Sequence, residues 1–190
     1  SVETGREEYY DQYVEFCKQL KDKFSIQMYS AVGNHDLYNS GFNFWEKKVY
    51  PYTSSYTFKT KPASPEGQPI SWYFLDTGSS TLGKKQFESF KQTSLADPDP
   101  KIVVSHCPIY NGGVLYFTLQ NETERNQLMS IFAQSKTLAV LEGHSHKYNK
   151  FCFEGYFTEH LTGSLLDNAV FSVLLIDLTT GSYKYEKYDY

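Results

Sequence analysis

Apolar residues recur at three- and four-residue steps in several stretches of the chain, and this spacing predicts amphipathic helices. The first stretch covers residues 6–24, where aromatic residues and leucine repeat with charged residues between them. Residues 83–93 and 123–135 show the same period, and a shorter helix is expected at 42–49. Each predicted helix therefore has one face for a core and one for solvent.

Runs of β-branched and aromatic residues predict the strands, and Gly, Pro, Asn and Asp separate them. The runs lie at residues 25–32, 55–59, 70–76, 101–105, 137–141, 151–153, 156–161, 170–178 and 182–185. Strands alternate with helices up to residue 141, and the remainder is rich in strands. This order predicts an α/β fold, a sandwich of two packed sheets with outer helices, forming one domain over residues 1–190.

The start of the chain departs from a complete α/β unit, because no strand precedes the first helix. Thr4, followed by Glu7 three residues later, fits a capping box at the start of that helix. We therefore expect a sandwich that lacks its N-terminal strands. The strand predicted at 25–32 would then present an open edge, and an open edge favours self-association.

Composition restricts the class of protein. Hydrophobic residues make up 40% of the 190 residues and aromatic residues 17%, enough for a packed core and too many for a disordered chain. The net charge of −4 gives no support for a nucleic-acid or anionic-membrane partner. No apolar run approaches the roughly 20 residues that span a bilayer. The cellular compartment and any signal peptide stay undetermined.

The three cysteines, Cys17, Cys107 and Cys152, do not form a C-x-x-C pair and are odd in number. They therefore predict neither a disulfide framework nor a structural zinc site. Cys107 is best interpreted as a small buried residue.

Polar residues of the metal-binding type follow three of the predicted strands. Asn34 and His35 come after the first strand, His106 follows the strand at 101–105, and His144 and His146 follow the strand at 137–141. Four of the five histidines lie in these places. Because ligands collect outside the carboxyl ends of the strands in α/β sheets, we expect these side chains to share one site.

These blocks resemble the motifs of the calcineurin-like metallophosphoesterase superfamily. The family motifs run D-x-H, G-D-x-x-[DN], G-N-H-[DE], a lone His after a strand, and G-H-x-H. The last three occur here in that order, at residues 33–36, at His106 and at residues 143–146. The resemblance extends over roughly the whole chain, and the ordered set is far more specific than any single block.

The first two family motifs are missing. No Asp-x-His pair precedes Asn34, and the sequence contains no Gly-Asp step. The opening residues 1–5 are those expected immediately after the second motif, so we expect an N-terminally truncated polypeptide. In the family, the missing motifs supply two ligands of one metal ion and the carboxylate that bridges both ions.

The resemblance implies a metal-dependent phosphoesterase, acting on phosphate mono- or diesters through a metal-bridging hydroxide. Asn34, His106 and His144 are expected to bind one ion, and His146 to contribute to a second. Two ions about 3.5–4 Å apart both activate water and stabilise the phosphoryl group. Imidazole and amide ligands favour divalent or trivalent Mn, Fe, Zn or Ni.

The resemblance gives His35 and Asp36 catalytic roles instead. His35 is expected to face the phosphate and to protonate the leaving group. Asp36 is expected to orient and charge His35. Gly33 and Gly143 are expected to let the backbone turn tightly beside the metals.

Two alternatives stay open at this point. The chain could be a non-catalytic fragment or paralogue that keeps the fold to bind a partner, or a protein with one ion on Asn34, His106 and His144. The sequence does not specify the substrate, and this fragment alone is expected to be inactive. His160 lies outside every motif and is interpreted as structural.

Overall fold

The computed structural model describes residues 2–189, with the backbone alone at Asn168. The helices are α1 (Glu7–Phe24), α2 (Asn34–Leu37), α3 (Phe42–Lys48), α4 (Gly83–Ala96), α5 (Glu122–Gln134) and α6 (Leu165–Asn168). The strands are β1 (Tyr56–Thr60), β2 (Ile70–Phe74), β3 (Lys101–Val104), β4 (Thr137–Glu142), β5 (Asn149–Phe153), β6 (Phe157–Leu161), β7 (Val170–Ile176) and β8 (Tyr183–Asp189).

Six strands form the main sheet in the order β1-β2-β3-β4-β6-β5. The four inner strands run parallel, and β1 and β5 pair antiparallel at the two edges. Parallel strands need long apolar runs because both faces of such a sheet are covered, and every residue of β6 is buried. The carboxyl ends of the parallel strands therefore meet at one edge of the sheet.

Both faces of the main sheet are packed. On one face, Phe90 of α4 and Phe132 of α5 join the buried Tyr73 and Phe157. On the other face, Ile102 and its neighbours pack against the hairpin β7-β8, which contributes the apolar side chains Leu174, Ile176 and Tyr183. The predicted α/β sandwich of two sheets is confirmed, with a six-stranded sheet and a smaller two-stranded one.

The first helix packs outside these two cores. Tyr10 of α1, Val32, Trp45 of α3 and Val49 form a separate buried cluster. The longer predicted helices are confirmed, and their ends lie within three residues of the predicted ones. Among residues 2–189, none of the helices combines the length and apolarity needed to cross a bilayer.

The predicted capping box is wrong. Helix α1 begins at Glu7 with Arg6 as its N-cap, and no side chain caps it. Thr4 is held elsewhere, because its carbonyl accepts a hydrogen bond from Asn39 Nδ2 at 2.7 Å. The next residue, Gly5, has a φ of +61°, and a Cβ there would lie 2.0 Å from the carbonyl oxygen of Tyr38. Close packing of this segment on the turn after α2 thus sets the start of α1.

The strand predicted at 25–32 is also wrong, because residues 25–33 form no strand. Aromatic side chains take the place of strand pairing: Tyr29 stacks on Phe58 at 4.3 Å, and Tyr56 Oη donates to the Ser30 carbonyl at 2.9 Å. The alternating pattern therefore reflects one face packed on β1. The open edge predicted at Ile26 to Val32 does not exist, and the sheet edges are β1 and β5.

Candidate metal centre

Asn34, His35 and Asp36 lie on the short helix α2, and the Asp36 side chain stabilises the start of this helix. Asp36 is 1% exposed. Its Oδ2 accepts from the N–H of Gly33 at 2.8 Å, and its Oδ1 accepts from the N–H of Val2 at 3.0 Å. Tyr10 Oη donates to the Asp36 carbonyl at 2.7 Å. The carboxylate thus fixes the backbone from which Asn34 and His35 project.

Glycine at position 33 leaves room for the ring of His106. The backbone there does not itself require glycine. Gly33 has a φ of −113°, which any residue can adopt. A Cβ on Gly33 would lie 2.9 Å from both Cε1 and Nδ1 of His106. The backbone does turn tightly after both glycines, because the Gly33 carbonyl accepts from the N–H of Asp36 at 3.1 Å and the Gly143 carbonyl accepts from the N–H of Ser145 at 2.7 Å. A Cβ on Gly143, however, would meet only the His106 carbonyl oxygen, at 3.9 Å.

His106 follows β3 and is held in place by Thr77, which follows β2. Thr77 Oγ1 accepts from the backbone N–H groups of His106 and Cys107, both at 3.0 Å. The hydroxyl groups of Thr77 and Ser105 also lie 3.0 Å apart. No local motif marks Thr77 in the sequence, because the partners of its hydroxyl lie 29 and 30 residues away.

Three of the four predicted metal ligands converge. His106 Nε2 lies 2.9 Å from Asn34 Oδ1 and 3.0 Å from His144 Nδ1, across separations of 72 and 38 residues. His144 and His146 both adopt left-handed backbone angles, with φ of 61° and 55°. Such angles are uncommon outside glycine and gather at functional sites. They turn the segment so that the imidazole of His144 faces that of His106.

This trio fits a transition-metal ion. Two ligands with bonds of about 2.1 Å to one ion lie about 3.0–3.4 Å apart, close to the observed spacing. A single proton on His106 Nε2 cannot serve both Asn34 Oδ1 and His144 Nδ1, whereas a cation serves all three donor atoms. Burial, then the neighbouring histidines, lower the pKa of His106 to about 3. Burial likewise lowers the pKa of His144, so both imidazoles are in the neutral form that binds metals.

Cys107 lies beside this trio but is not suited to be a ligand. Its sulfur is within 4.8 Å of ring nitrogens of His106 and His144. However, Cys107 is fully buried, and its thiol donates to the Thr77 carbonyl at 3.1 Å. Burial raises the pKa of the Cys107 thiol, and metals bind the thiolate.

His35 and His146 lie apart from the trio and have other partners. His35 Nδ1 is 2.7 Å from the Glu3 carbonyl, and its ring packs near Tyr38. The His146 side chain is 61% exposed, and its Nδ1 contacts Oδ2 of Asp167. The contact expected between Asp36 and His35 is replaced by the one with Glu3, while Asp36 contacts backbone N–H groups.

A pair of buried carboxyl groups supports the loop that follows His106. Glu159 accepts from the backbone N–H groups of Ile109, Tyr110 and Asn111, the shortest at 2.7 Å. Glu142 also accepts from Ile109 N–H, at 3.0 Å. Burial and then the charge of Glu159 raise the pKa of Glu142 well above its usual range. The pair was missed in the sequence because both residues lie within apolar strand patterns.

Comparison with known proteins decides the family. The family model described as calcineurin-like phosphoesterase matches residues 2–148, more than half of the chain. The chain belongs to the calcineurin-like phosphoesterase family. The resemblance of its three motifs to that family is thereby confirmed. Membership of the family indicates metal-dependent hydrolysis of phosphate esters as the general chemistry. Comparison with curated protein sequences gave no match.

Solved structures show the same fold as this calcineurin-like phosphoesterase at low sequence identity. A dimetal phosphatase from Danio rerio has 11% identity and a TM-score of 0.65, over 87% of this chain and 70% of that one. A 5'-nucleotidase from Candida albicans has 16% identity and a TM-score of 0.57, over 89% and 37%. GAP50, the anchor in the inner membrane complex of Plasmodium, has 19% identity and a TM-score of 0.50, over 62% and 39%. The chain thus spans less than two fifths of the length of the 5'-nucleotidase and of GAP50.

Proposed function

We propose that this protein hydrolyses phosphate mono- or diesters at the centre formed by Asn34, His106 and His144. The observation that carries the proposal is the approach of Asn34 Oδ1 and His144 Nδ1, from two other chain segments, to within 2.9 and 3.0 Å of His106 Nε2. A bound divalent ion supplies Lewis acidity, which acidifies water and stabilises charge on the phosphoryl oxygens. The chain's own residues hold the ion and orient the ester.

His35 is proposed as the group that protonates the leaving oxygen. The Glu3 carbonyl can only accept a hydrogen bond, so the proton of the neutral ring resides on Nδ1. Nε2 of the exposed ring takes up a proton from solvent and delivers it to the leaving oxygen as the bond between that oxygen and phosphorus breaks. In this proposal Asp36 is a positioning residue, which anchors α2 through the backbone N–H groups of Val2 and Gly33.

His146 is proposed as a ligand of a second ion. Its Nδ1 would have to exchange Asp167 for that ion. Two-ion chemistry requires further ligands of the D-x-H and G-D type, which the 190 residues do not contain. We therefore also propose that these ligands come from polypeptide outside this chain, and that the chain alone is inactive.

The test measures metal content and hydrolysis of bis(p-nitrophenyl) phosphate, for this 190-residue chain and for the longer natural product. The proposal expects an ion on the short chain, activity only in the longer one, and loss of both in His106→Ala. His160→Gln is the matched control, because His160 is a buried histidine paired with Tyr183 and outside the trio. A longer product that binds metal at this centre and hydrolyses no phosphate ester would overturn it.

A second candidate function is a non-catalytic scaffold that binds a partner. Within residues 2–189, the His, Cys, Asp and Glu side chains form one group of three close enough to share an ion, His106, Cys107 and His144, and His146 contacts Asp167 instead. GAP50, which shares this fold, is an anchor in the inner membrane complex of Plasmodium, and it gives the candidate a precedent for the fold alone. Absence of both metal and activity in the longer product would favour this candidate over the phosphoesterase.

A further inference from the structure

A cavity of about 310 Å³ lies beside the metal centre, between residues 111–117 and 145–151. Its walls are mostly apolar, and the volume falls at the lower end of the range for small-molecule sites. Its lining includes Val114, Tyr116, Phe117, Phe151, Ser145 and Lys147. None of these residues belongs to the proposed hydrolytic machinery.

Phe117 connects the cavity directly to the metal centre. Its ring meets the ring of His144 edge-on, with centroids 5.1 Å apart. Phe117 also has a φ of 75°, an unfavourable backbone angle for a bulky side chain that persists only when surrounding contacts impose it. A group bound in the cavity therefore lies next to the phosphate that the centre would hold.

The loop is built to present apolar side chains at this place. Buried Asn111 donates from Nδ2 to the carbonyls of Val114 at 3.2 Å and Tyr116 at 3.4 Å, while its own N–H is held by Glu159. These bonds leave Tyr116 74% exposed. In the cavity wall, Ser145 is nine-tenths buried and its hydroxyl has no hydrogen-bond partner within residues 2–189.

Exposed apolar residues also lie in α6, next to the residue that contacts His146. Leu165 and Leu166 of α6 are 64% and 91% exposed, and the next residue, Asp167, pairs with His146. Leu115 is 65% exposed on the opposite loop. Exposed apolar side chains gathered near a site mark a binding surface rather than ordinary solvent contact. Here they belong to two segments that contact the site, one through Phe117 and His144 and the other through Asp167 and His146.

We propose that the substrates are amphiphilic phosphate esters, in which an extended apolar group enters the cavity beside Phe117 while the phosphate meets the metal centre. This inference rests on the proposed phosphoesterase function and specifies its substrate class. The Ser145 hydroxyl and the Lys147 ammonium serve the polar junction between the apolar group and the phosphate.

The test uses hydrolysis-resistant alkylphosphonates and the zinc-loaded 190-residue chain. Calorimetry gives the affinity for methyl-, butyl- and octylphosphonate, each below its micelle concentration. A fully buried methylene raises affinity about fourfold, so half-burial predicts about twofold per methylene and about 100-fold from methyl to octyl. The double variant Val114→Ser/Tyr116→Ser should lower the octyl-to-methyl ratio at least fivefold with the zinc content retained.

Leu95→Ser is the control, because Leu95 is an exposed apolar residue near the end of α4, at the opposite edge of the sheet. It should leave the ratio unchanged. Bound zinc with an affinity that does not rise with chain length overturns this inference and leaves the proposed function standing. An increase in affinity with chain length that is as large in the double variant as in the unaltered protein also overturns the inference, because the apolar group then binds elsewhere. Failure to bind zinc at all overturns the proposed function itself.

Discussion

The buried pair Glu142 and Glu159 gives a quantitative prediction about the support of the site. Glu159 serves three backbone N–H groups of residues 109–111, and Glu142 serves one of them. The two Oε1 atoms lie 3.0 and 3.1 Å from the same nitrogen, that of Ile109. Two charged carboxylates at this separation are costly, so one proton resides on the pair. The raised pKa of Glu142 places that proton on Glu142.

Replacing each carboxyl by an amide therefore has unequal effects on the free energy of unfolding. Glu159→Gln removes the charge and sets an amide N–H₂ against backbone donors. Hydrogen bonds to a charged group contribute about 1.5–3 kcal/mol and an unpaired buried donor costs about 1–3 kcal/mol, so we expect a loss of about 3 kcal/mol. Glu142→Gln replaces a neutral acid by a neutral amide that keeps the bond to Ile109, and should cost about 1 kcal/mol or less.

Urea unfolding in the presence of a chelator, followed by tryptophan fluorescence, measures both values. Buried Trp45 makes the signal sensitive to the folded state. In a separate thermal unfolding experiment, a loss of about 1 kcal/mol lowers the Tm of a chain of this size by about 2–4 °C. The Tm of Glu159→Gln should therefore fall by about 6–12 °C. If Glu142→Gln is as destabilised as Glu159→Gln, the assignment of the proton is wrong.

The same pair predicts a pH dependence that Glu142→Gln removes. The folded pKa of Glu142 lies well above 4.5, the ordinary value of a glutamate side chain. Above pH 4.5 the folded state therefore retains a proton that the unfolded state has released, and stability falls as the pH rises. Glu142→Gln eliminates this decline. A decline of equal slope in the variant would contradict the account.

Four further predictions concern other parts of the structure. His35→Ala should lower turnover of the intact enzyme by about 10²–10⁴-fold with metal content retained; a parallel loss of metal would contradict the role of His35. Gly33→Ala should displace the His106 ring, since a Cβ there lies 2.9 Å from it, and weaken metal binding by at least tenfold in calorimetry, whereas Gly143→Ala should not. Burial lowers the pKa of His160 to about 4, so between pH 6.5 and 4 only the unfolded state takes up this proton, the free energy of unfolding falls by up to about 3 kcal/mol, and His160→Gln should flatten this acid limb in urea titrations. The self-association expected from an edge at residues 26–32 loses its basis there, because those residues form no strand, so any dimer in sedimentation experiments should pair through β1 or β5, the edges of the main sheet; a dimer whose interface lies at residues 26–32 would refute this.

Much of the fold was predictable because its main elements carry one consistent period. The parallel strands have apolar runs that suit burial on both faces, and the long helices have a regular apolar face. The segment 25–32 shows where this reasoning fails. Its alternation arises from Tyr29 stacking on Phe58 rather than from strand pairing, and side-chain stacking and strand pairing leave the same period in a sequence.

The site was predictable to the extent that its residues follow strands in a family order. The structure brings Asn34, His106 and His144 together, as the prediction required. The supporting groups could not be predicted, because Thr77 and Glu159 act on backbone N–H groups about 30 and 50 residues away. Such contacts depend on tertiary packing and leave no local pattern. The Asp36 side chain likewise bonds to the backbone N–H groups of Val2 and Gly33 rather than to His35, and no motif encodes these contacts.

The most direct test of the central claim is a crystal of this chain soaked with zinc, with anomalous scattering recorded at the zinc absorption edge. The account predicts a peak about 2.0–2.2 Å from Asn34 Oδ1, His106 Nε2 and His144 Nδ1, and no peak there in crystals of His106→Ala. A peak held by other residues, or none between these three atoms, would contradict the assignment of this centre as the metal site.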